Sequence, residues 1–255
     1  MRLPIGDITS RYDEVGNGPP VIILHGWGGT IESVKPIVQC LSHDYTTFAV
    51  DLPGFGESAQ PPTTWGVLDY ANWVADFMDS VGCPRAHILG HSFGGRIGIA
   101  LAAHFPALVD RLILVDSAGI RPRRTPVTQL RVYSFKGLRS LILLIPFPSW
   151  KKGAVRRLGA IFGSADYRNA NALRDIFVRV VNEDLRPVLP AIQAPTLLVW
   201  GENDEDVPVA HGKLMAQEIP HARLEILAGA GHFSYMDRLP QFCRIVRDFL
   251  KEKVN

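Results

Sequence analysis

Residues 89–98 read LGHSFGGRIG and place Ser92 between a segment with the pattern of a buried strand and a segment with the pattern of a helix. Gly90 and Gly94 stand two residues before and two residues after the serine, which matches the Gly-x-Ser-x-Gly pattern of a nucleophile elbow. Glycine is needed on both sides because a turn this sharp brings neighbouring backbone too close for a side chain. We therefore predict that the hydroxyl of Ser92 projects from a strand end, beside the N–H groups of a helix that begins at Phe93.

The rest of the chain repeats this alternation of short apolar runs and longer amphipathic segments. The apolar runs that end in polar or glycine-rich corners are residues 21–26, 47–54, 86–92, 111–119, 195–204 and 223–232. Apolar residues at helical spacing predict helices over residues 65–81, 93–105, 209–219 and 240–250. Strands that alternate with helices are typical of an α/β fold with a mostly parallel central sheet and helices on both faces.

The alternation stops after residue 119 and resumes at residue 195, and the segment between has helical patterns and several prolines. We predict a core of residues 1–120 and 189–255, with a mostly helical cap inserted as residues 121–188. The cap holds 14 Lys and Arg against 4 Asp and Glu, a formal charge of +10, while the rest of the chain carries −8. Such asymmetry within one chain predicts a surface with a partner of its own.

Composition narrows the class of protein. A chain of 255 residues with 47% hydrophobic content can bury a substantial core. Its three cysteines (Cys40, Cys83 and Cys243) are odd in number and far apart, which predicts reduced, buried thiols rather than a disulfide framework or a zinc site. The amino terminus lacks the apolar core of a signal peptide, and no stretch reaches the length of a membrane span. We therefore expect a soluble cytoplasmic protein with no nucleic-acid partner.

A serine hydroxyl is a poor nucleophile unless a base accepts its proton and an acid orients the base. Two later apolar runs end close to residues of the required types, Asp204 and His232. The order Ser92, Asp204, His232 is the chain order expected for a nucleophile elbow of this kind. Asp206 and Asp116 are the alternative acids, the first because it lies two residues past Asp204 and the second because it closes another predicted strand.

Five segments, taken together and in this order, resemble the motifs of the α/β-hydrolase superfamily: HGWGG (25–29), DLPGFGES (51–58), GHSFGGRIGI (90–99), WGENDEDVP (200–208) and GAGHFSYMDRLPQF (229–242). The resemblance runs from residue 21 to residue 250. It implies that Ser92 is the nucleophile, His232 the base and Asp204 the acid. It also implies an oxyanion hole formed by the backbone N–H groups of Trp27 and Phe93, and a mechanism that needs no metal or organic cofactor. Asp51, in the second motif, is expected to anchor its loop.

The residue at position 92 limits the chemistry. Serine argues against the haloalkane dehalogenases and epoxide hydrolases of this fold, which use a carboxylate. Hydrolysis of an ester, thioester or lactone, or of a carbon–carbon bond in a vinylogous diketone, stays open, and a carboxylic ester is the leading expectation. The alternative from another class is a ligand-binding, receptor-type protein of the same fold. The HGWG segment also resembles the carrier-protein methyl esterases of biotin synthesis, whose caps are basic.

The substrate pocket is expected to draw on the motif corners and on an apolar run of the cap. The predicted pocket residues are His25, Gly26, His91, Leu144, Phe147, Trp150, Val207 and Phe233. Besides a small-molecule ester, the basic cap is expected to face an acidic carrier protein or an anionic membrane surface, or to be a solvated rim with no partner.

Overall fold

The protein is described by a computed structural model that covers residues 1–121, 166 and 170–252. The chain divides into two compact units, one formed by Met1–Ile120 and Arg179–Asn255 and the other by Arg121–Val178. The first unit therefore resumes at Arg179, ten residues before the return to the core that we predicted at residue 189. Most of the predicted cap lies outside the described residues, so its helical character stays a prediction. The described part of the second unit holds a 3-10 turn, Asn171–Leu173.

The first unit is built on one eight-stranded sheet. Its strands are β1 (Arg2–Ile5), β2 (Ile8–Val15), β3 (Pro20–Leu24), β4 (Thr46–Val50), β5 (Ala86–His91), β6 (Val109–Val115), β7 (Thr196–Gly201) and β8 (Ala222–Leu227), in the spatial order β1-β2-β4-β3-β5-β6-β7-β8. Strands β3 to β8 are parallel to one another, and β1 and β2 pair antiparallel at one edge. The parallel strands are the six predicted ones. The edge pair was not predicted because its apolar residues are few and are interrupted by polar ones, so neither strand shows a long apolar run.

Seven α-helices are described: α1 (Ile31–Leu41), α2 (Val67–Ser80), α3 (Phe93–His104), α4 (Arg174–Asn182), α5 (Val209–Glu218), α6 (Ser234–Asp237) and α7 (Leu239–Lys251). The predictions for α2, α3, α5 and α7 are confirmed to within a few residues. Helix α1 was not predicted, and it carries Pro36 in its interior. Among the described helices, none is long and apolar enough to cross a membrane.

Alternate residues of the central strands point to opposite faces of the sheet, and both faces are buried. On one face, Val21, Ile23 and Ile113 pack with Phe242 and Val246 of α7 in a cluster that also includes α1. On the other face, the side chains of Ile88, Leu112 and Leu114 surround the position of Gly98 in α3. Burial on both faces explains why the parallel strands appear in the sequence as continuous apolar runs.

The cysteine prediction is wrong for two of the three residues. Cys40 on α1 and Cys243 on α7 form a disulfide, with Cα atoms 5.7 Å apart, while Cys83 is a free, buried thiol. The paired cysteines are 203 residues apart in the chain. Only the packing of α1 against α7 brings them together, so their spacing in the sequence carried no sign of the bond.

Asp51 follows β4 directly and joins two segments at the carboxyl edge of the sheet. Its buried carboxylate accepts one hydrogen bond from the backbone N–H of Ile31, at the start of α1, at 2.8 Å. It accepts a second from the backbone N–H of Glu57, in the loop after β4, at 2.9 Å. The hydroxyl of Ser58 donates to the backbone carbonyl of Asp51. The expected anchoring role of Asp51 is therefore confirmed.

We predict that Asp51→Ala destabilises the protein because two backbone N–H groups lose their acceptor. The expected loss is about 1–3 kcal/mol for each buried donor that stays unpaired. Urea unfolding of the variant and the wild type measures it. Asp76→Ala is the matched control, since Asp76 lies on the exposed face of α2. Equal free energies of unfolding for Asp51→Ala and Asp76→Ala would contradict the anchoring role.

Candidate active site

Ser92 stands between β5 and α3 in a backbone conformation that non-glycine residues rarely adopt, with φ 50° and ψ −107°. Strand β6 and the segment after it hold this conformation. The N–H of Ser92 donates to the carbonyl of Val115 at 3.0 Å, and the N–H of Ala118 donates to the carbonyl of Ser92 at 3.2 Å. Such strain persists only where the surroundings over-determine it, and here it places the hydroxyl above the end of the sheet.

The glycines beside Ser92 are required by close approach of the backbone. A Cβ atom on Gly90 would lie 2.3 Å from the carbonyl oxygen of Gly94, and one on Gly94 would lie 2.2 Å from the carbonyl oxygen of Leu24. Helix α3 therefore begins in direct contact with the end of β3, and the N–H groups of its first turn stand next to the serine hydroxyl.

The structure brings Ser92, His232 and Asp204 into one hydrogen-bonded series. The Nε2 atom of His232 is 3.1 Å from the hydroxyl oxygen of Ser92, and its Nδ1 atom is 2.9 Å from Oδ2 of Asp204. The other carboxylate oxygen of Asp204 accepts the N–H groups of Asp206, at 2.9 Å, and Val207, at 2.8 Å. Because Nδ1–H donates to the carboxylate, Nε2 is left to accept the proton of the serine hydroxyl.

The environment of His232 favours its protonated form. Burial by itself lowers the pKa of His232, but the hydrogen bond and the charge of Asp204 outweigh it, so the pKa stands above its ordinary value of 6.5. Asp116 and Asp206 add to the rise through their charges. An imidazole held this way can take a proton from a neighbouring hydroxyl near neutral pH.

Among the described residues, Asp204 makes the hydrogen bond to Nδ1 of His232, and the two alternative acids do not. Asp206 is exposed, and its backbone N–H donates to Asp204. The carboxylate of Asp116 is buried and accepts hydrogen bonds from Gly201 and Ser234. Among the described residues, Asp204, Asp206 and His232 are the group that could offer ligands to a metal ion, with ligand atoms within 4.8 Å of one another.

The loop after β3 carries Trp27, and a buried histidine holds that loop. The N–H of Leu52 donates to Nε2 of His25 at 3.0 Å, so the proton of His25 is on Nδ1, which donates to the carbonyl of Gly26 at 2.7 Å. The N–H of Gly29 donates to the same carbonyl at 3.0 Å. That carbonyl and the N–H of Trp27 belong to one trans peptide unit, so the two bonds also fix the direction of the Trp27 N–H.

The side chains of the two predicted oxyanion donors pack against each other. The ring of Trp27 meets the rings of Phe55 and Phe93 edge to face, with centroids 4.9 and 5.3 Å apart. The ring of Phe93 meets that of Tyr70 at 5.1 Å, and the hydroxyl of Tyr70 donates to the carbonyl of Pro53. The loop after β3 and the start of α3 are therefore held at a set separation before any ligand binds.

The remaining predicted pocket residues divide into three groups. Val207 donates to Asp204 through its N–H, and the side chain of Phe233 is 48% exposed beside His232. His25 and His91 are buried and hydrogen-bonded inside the protein; Nε2–H of His91 donates to the carbonyl of His232 at 2.9 Å. We assign both a supporting role. The cap residues of the predicted pocket lie outside the described residues: Leu144, Phe147 and Trp150.

We predict that the three histidines titrate apart. Burial lowers the pKa of His25 and of His91 to about 4, whereas the pKa of His232 is raised. The folded protein thus binds protons on His25 and His91 more weakly than the unfolded chain does. Stability from this pair is lost as pH falls from about 6.5 to about 4, through the pKa values just given.

An NMR titration of the imidazole resonances measures this difference, and a His91→Gln variant assigns the His91 signal by its disappearance. Titration of His25 or His91 near the ordinary value of 6.5 would show that their surroundings are open to water.

The comparisons with known proteins agree on one family. The family model described as alpha/beta hydrolase fold matches residues 19–135 and 169–239. The chain is 27% identical to a 2-hydroxy-6-oxo-6-phenylhexa-2,4-dienoate hydrolase of Comamonas testosteroni, over 98% of this chain and 93% of that protein. It is 28% identical to a pimeloyl-acyl-carrier-protein methyl ester esterase of Aeromonas hydrophila, over 95% of this chain and 100% of that protein.

Among solved structures, the enol-lactonase of Burkholderia xenovorans LB400 superposes with a TM-score of 0.76 at 24% identity. The superposition covers 99% of this chain and 100% of the lactonase. This likeness concerns the fold. The chain belongs to the alpha/beta hydrolase fold family.

Proposed function

We propose that the protein is a serine hydrolase that cleaves a carboxylic ester through an acyl-enzyme on Ser92. The observation that carries the proposal is the series of hydrogen bonds from Ser92 through His232 to Asp204, with contacts of 3.1 and 2.9 Å. These are hydrogen-bonding distances between a nucleophile, a base and an orienting acid.

The reaction follows from this arrangement. His232 accepts the hydroxyl proton on Nε2 while the oxygen of Ser92 attacks the ester carbonyl, and Asp204 stabilises the imidazolium that results. The backbone N–H groups of Trp27 and Phe93 hold the oxyanion. His232 then gives the proton to the departing alcohol, leaving the acyl group on the serine. A water molecule, deprotonated by the same base, releases the acid and restores the serine.

The bonds around Asp204 support its role as the acid. One of its oxygens is occupied by two backbone N–H groups, which leaves the other for His232. Among the described residues, neither Asp116 nor Asp206 makes the hydrogen bond to Nδ1 of His232 that Asp204 makes.

A second reaction is favoured by one relative. The 2-hydroxy-6-oxo-6-phenylhexa-2,4-dienoate hydrolase matches nearly the whole chain, and the substrate in its name is a vinylogous diketone. The same serine and histidine could start either reaction, since both substrates present a carbonyl carbon to the nucleophile. Turnover of p-nitrophenyl esters of rising chain length, a lactone, a thioester and a vinylogous diketone, measured side by side, ranks the substrate classes.

We predict that Ser92→Ala and His232→Ala lower kcat by about four to six orders of magnitude, and that Asp204→Asn lowers it by about four. The asparagine variant loses activity because its amide favours the wrong imidazole tautomer. Steady-state kinetics on the best ester of the panel measure the effect. Asp76→Asn is the matched control, since it makes the same chemical change on the exposed face of α2 and should keep kcat close to that of the wild type.

Covalent labelling provides a test that does not depend on the substrate. A fluorophosphonate should add once to the wild type, on the peptide that carries Ser92, and not at all to Ser92→Ala. A folded protein that neither labels nor turns over any substrate of the panel would favour the ligand-binding alternative.

We also propose that the basic segment 121–188 docks an acidic acyl carrier protein that presents a tethered ester to Ser92. The formal charge of +10 on this segment supports the proposal, as does the similarity to a pimeloyl-acyl-carrier-protein methyl ester esterase. Attraction between complementary charges accelerates the encounter of two proteins, and added salt weakens that attraction.

For this docking we predict a salt effect that depends on the substrate. Reversing the charge of Arg123, Arg124, Arg156 and Arg157 to Glu should raise KM for a carrier-bound methyl ester about tenfold or more, and added salt should do the same in the wild type. Turnover of p-nitrophenyl acetate should change little in either case. Equal KM values for the carrier-bound ester before and after charge reversal would refute docking. Sedimentation with anionic vesicles is measured on the same variant, and if charge reversal abolishes only vesicle binding, the surface faces a membrane instead.

A further inference from the structure

Asp116 is a buried carboxylate beside the proposed triad that the reaction does not use. It follows β6 directly, in a left-handed backbone conformation with φ 46°, and its N–H donates to the carbonyl of Val199 on β7 at 2.9 Å. Its side chain has no exposure. A non-glycine residue in this conformation, buried and charged, is held there by specific bonds.

Its two carboxylate oxygens bind different segments. Oδ1 accepts the N–H of Gly201, the last residue of β7, at 2.8 Å. Oδ2 accepts both the N–H of Ser234, at 3.1 Å, and the hydroxyl of Ser234, at 2.6 Å. One carboxyl group therefore ties the end of β7 to the beginning of α6.

Both segments lead directly to a triad residue. Asp204 lies three positions after Gly201, and its N–H donates to the Gly201 carbonyl at 3.3 Å. His232 lies two positions before Ser234. Few rotatable bonds thus separate each anchor from the side chain that it supports. The distance between the acid and the base depends on the two anchors, which Asp116 joins, and on the bond from the N–H of Asn203 to the carbonyl of Ala230 at 2.8 Å, which also links the two loops.

We propose that Asp116 is a positioning residue for the His232–Asp204 pair, acting through Gly201 and Ser234 without touching the substrate. The inference rests on the proposed serine hydrolase function. Displacements of about 1 Å between reacting groups can cost about a hundredfold in rate, so the bonds of Asp116 bear on kcat rather than on substrate binding.

Charge gives the proposal a second observable. Burial raises the pKa of Asp116 to about 7, against hydrogen bonds that lower it. Asp204, from the loop after β7, His232, and Tyr235 of α6 are the titratable groups with which Asp116 interacts by charge. When it is ionised, Asp116 raises the pKa of His232. Its removal should therefore lower that pKa, in addition to loosening the geometry.

The test compares Asp116→Asn with Ser234→Ala. The asparagine keeps an oxygen for Gly201 but loses the charge and an acceptor for Ser234; Ser234→Ala removes one hydrogen bond and leaves the charge. We expect kcat per active site to fall about 10- to 100-fold in Asp116→Asn and less in Ser234→Ala, with KM nearly unchanged in both. Active sites are counted by the fluorophosphonate. The acid limb of the kcat/KM profile should move to lower pH in Asp116→Asn alone.

Asp110→Asn is the matched control. Asp110 lies near the other end of β6, where it pairs with Arg85 at 3.0 Å. This variant should keep kcat and the pH profile of the wild type, because it makes the same chemical change on the same strand far from the triad.

An NMR titration of His232 makes the test independent of turnover. If the wild type cleaves none of the substrates, the proposed function fails, but a lower His232 pKa in Asp116→Asn would still support the coupling. If Asp116→Asn does not fold, unchanged kcat per active site in Ser234→Ala overturns the proposal. A purely structural role is the conclusion if Asp116→Asn lowers only the melting temperature, with kcat per active site and the His232 titration unmoved.

Discussion

The left-handed backbone of Ser92 is the constraint on which the site depends. A serine adopts this conformation at a cost, and its surroundings offset that cost: Val115 of β6 accepts its N–H, and Ala118, after β6, donates to its carbonyl. The start of α3 lies so close to β5 and β3 that only glycine fits at positions 90 and 94. The approach of α3 to the end of β3 follows from the same close packing. The position of Ser92 at the start of α3 therefore depends on this close packing of helix and sheet.

Three buried aspartates then organise the carboxyl edge of the sheet: Asp51 after β4, Asp116 after β6 and Asp204 after β7. Each accepts backbone N–H groups from the loops around it, and only Asp204 also has an oxygen directed at an imidazole. The chemistry of the side chain is the same in all three. The role of each carboxylate follows from the groups that surround it. Asp51 anchors a loop, Asp116 links two segments, and Asp204 is bonded to His232.

The histidines show the same division. His25 and His91 are buried, keep a low pKa and use their ring N–H groups to hold carbonyls, whereas His232 is paired with a carboxylate and keeps a raised pKa. Relatives that match most of this chain include both a methyl ester esterase and a dienoate hydrolase. Proteins similar to this chain over most of its length are thus named for the cleavage of different bonds.

The sequence by itself determined the parallel strands, four of the helices and the position of Ser92 in a strand-to-helix turn, because burial on both faces produces continuous apolar runs and because the elbow requires glycine at fixed offsets from Ser92. It did not determine the polar edge hairpin, whose strands lack an apolar run, or the pairing of Cys40 with Cys243. Without the family resemblance, it also left Asp116 and Asp206 as alternatives to Asp204, the residue that is hydrogen-bonded to His232 in the structure. Only the tertiary structure decided these points: the contacts join segments far apart in the chain, and their distances depend on how strands and helices pack rather than on local pattern.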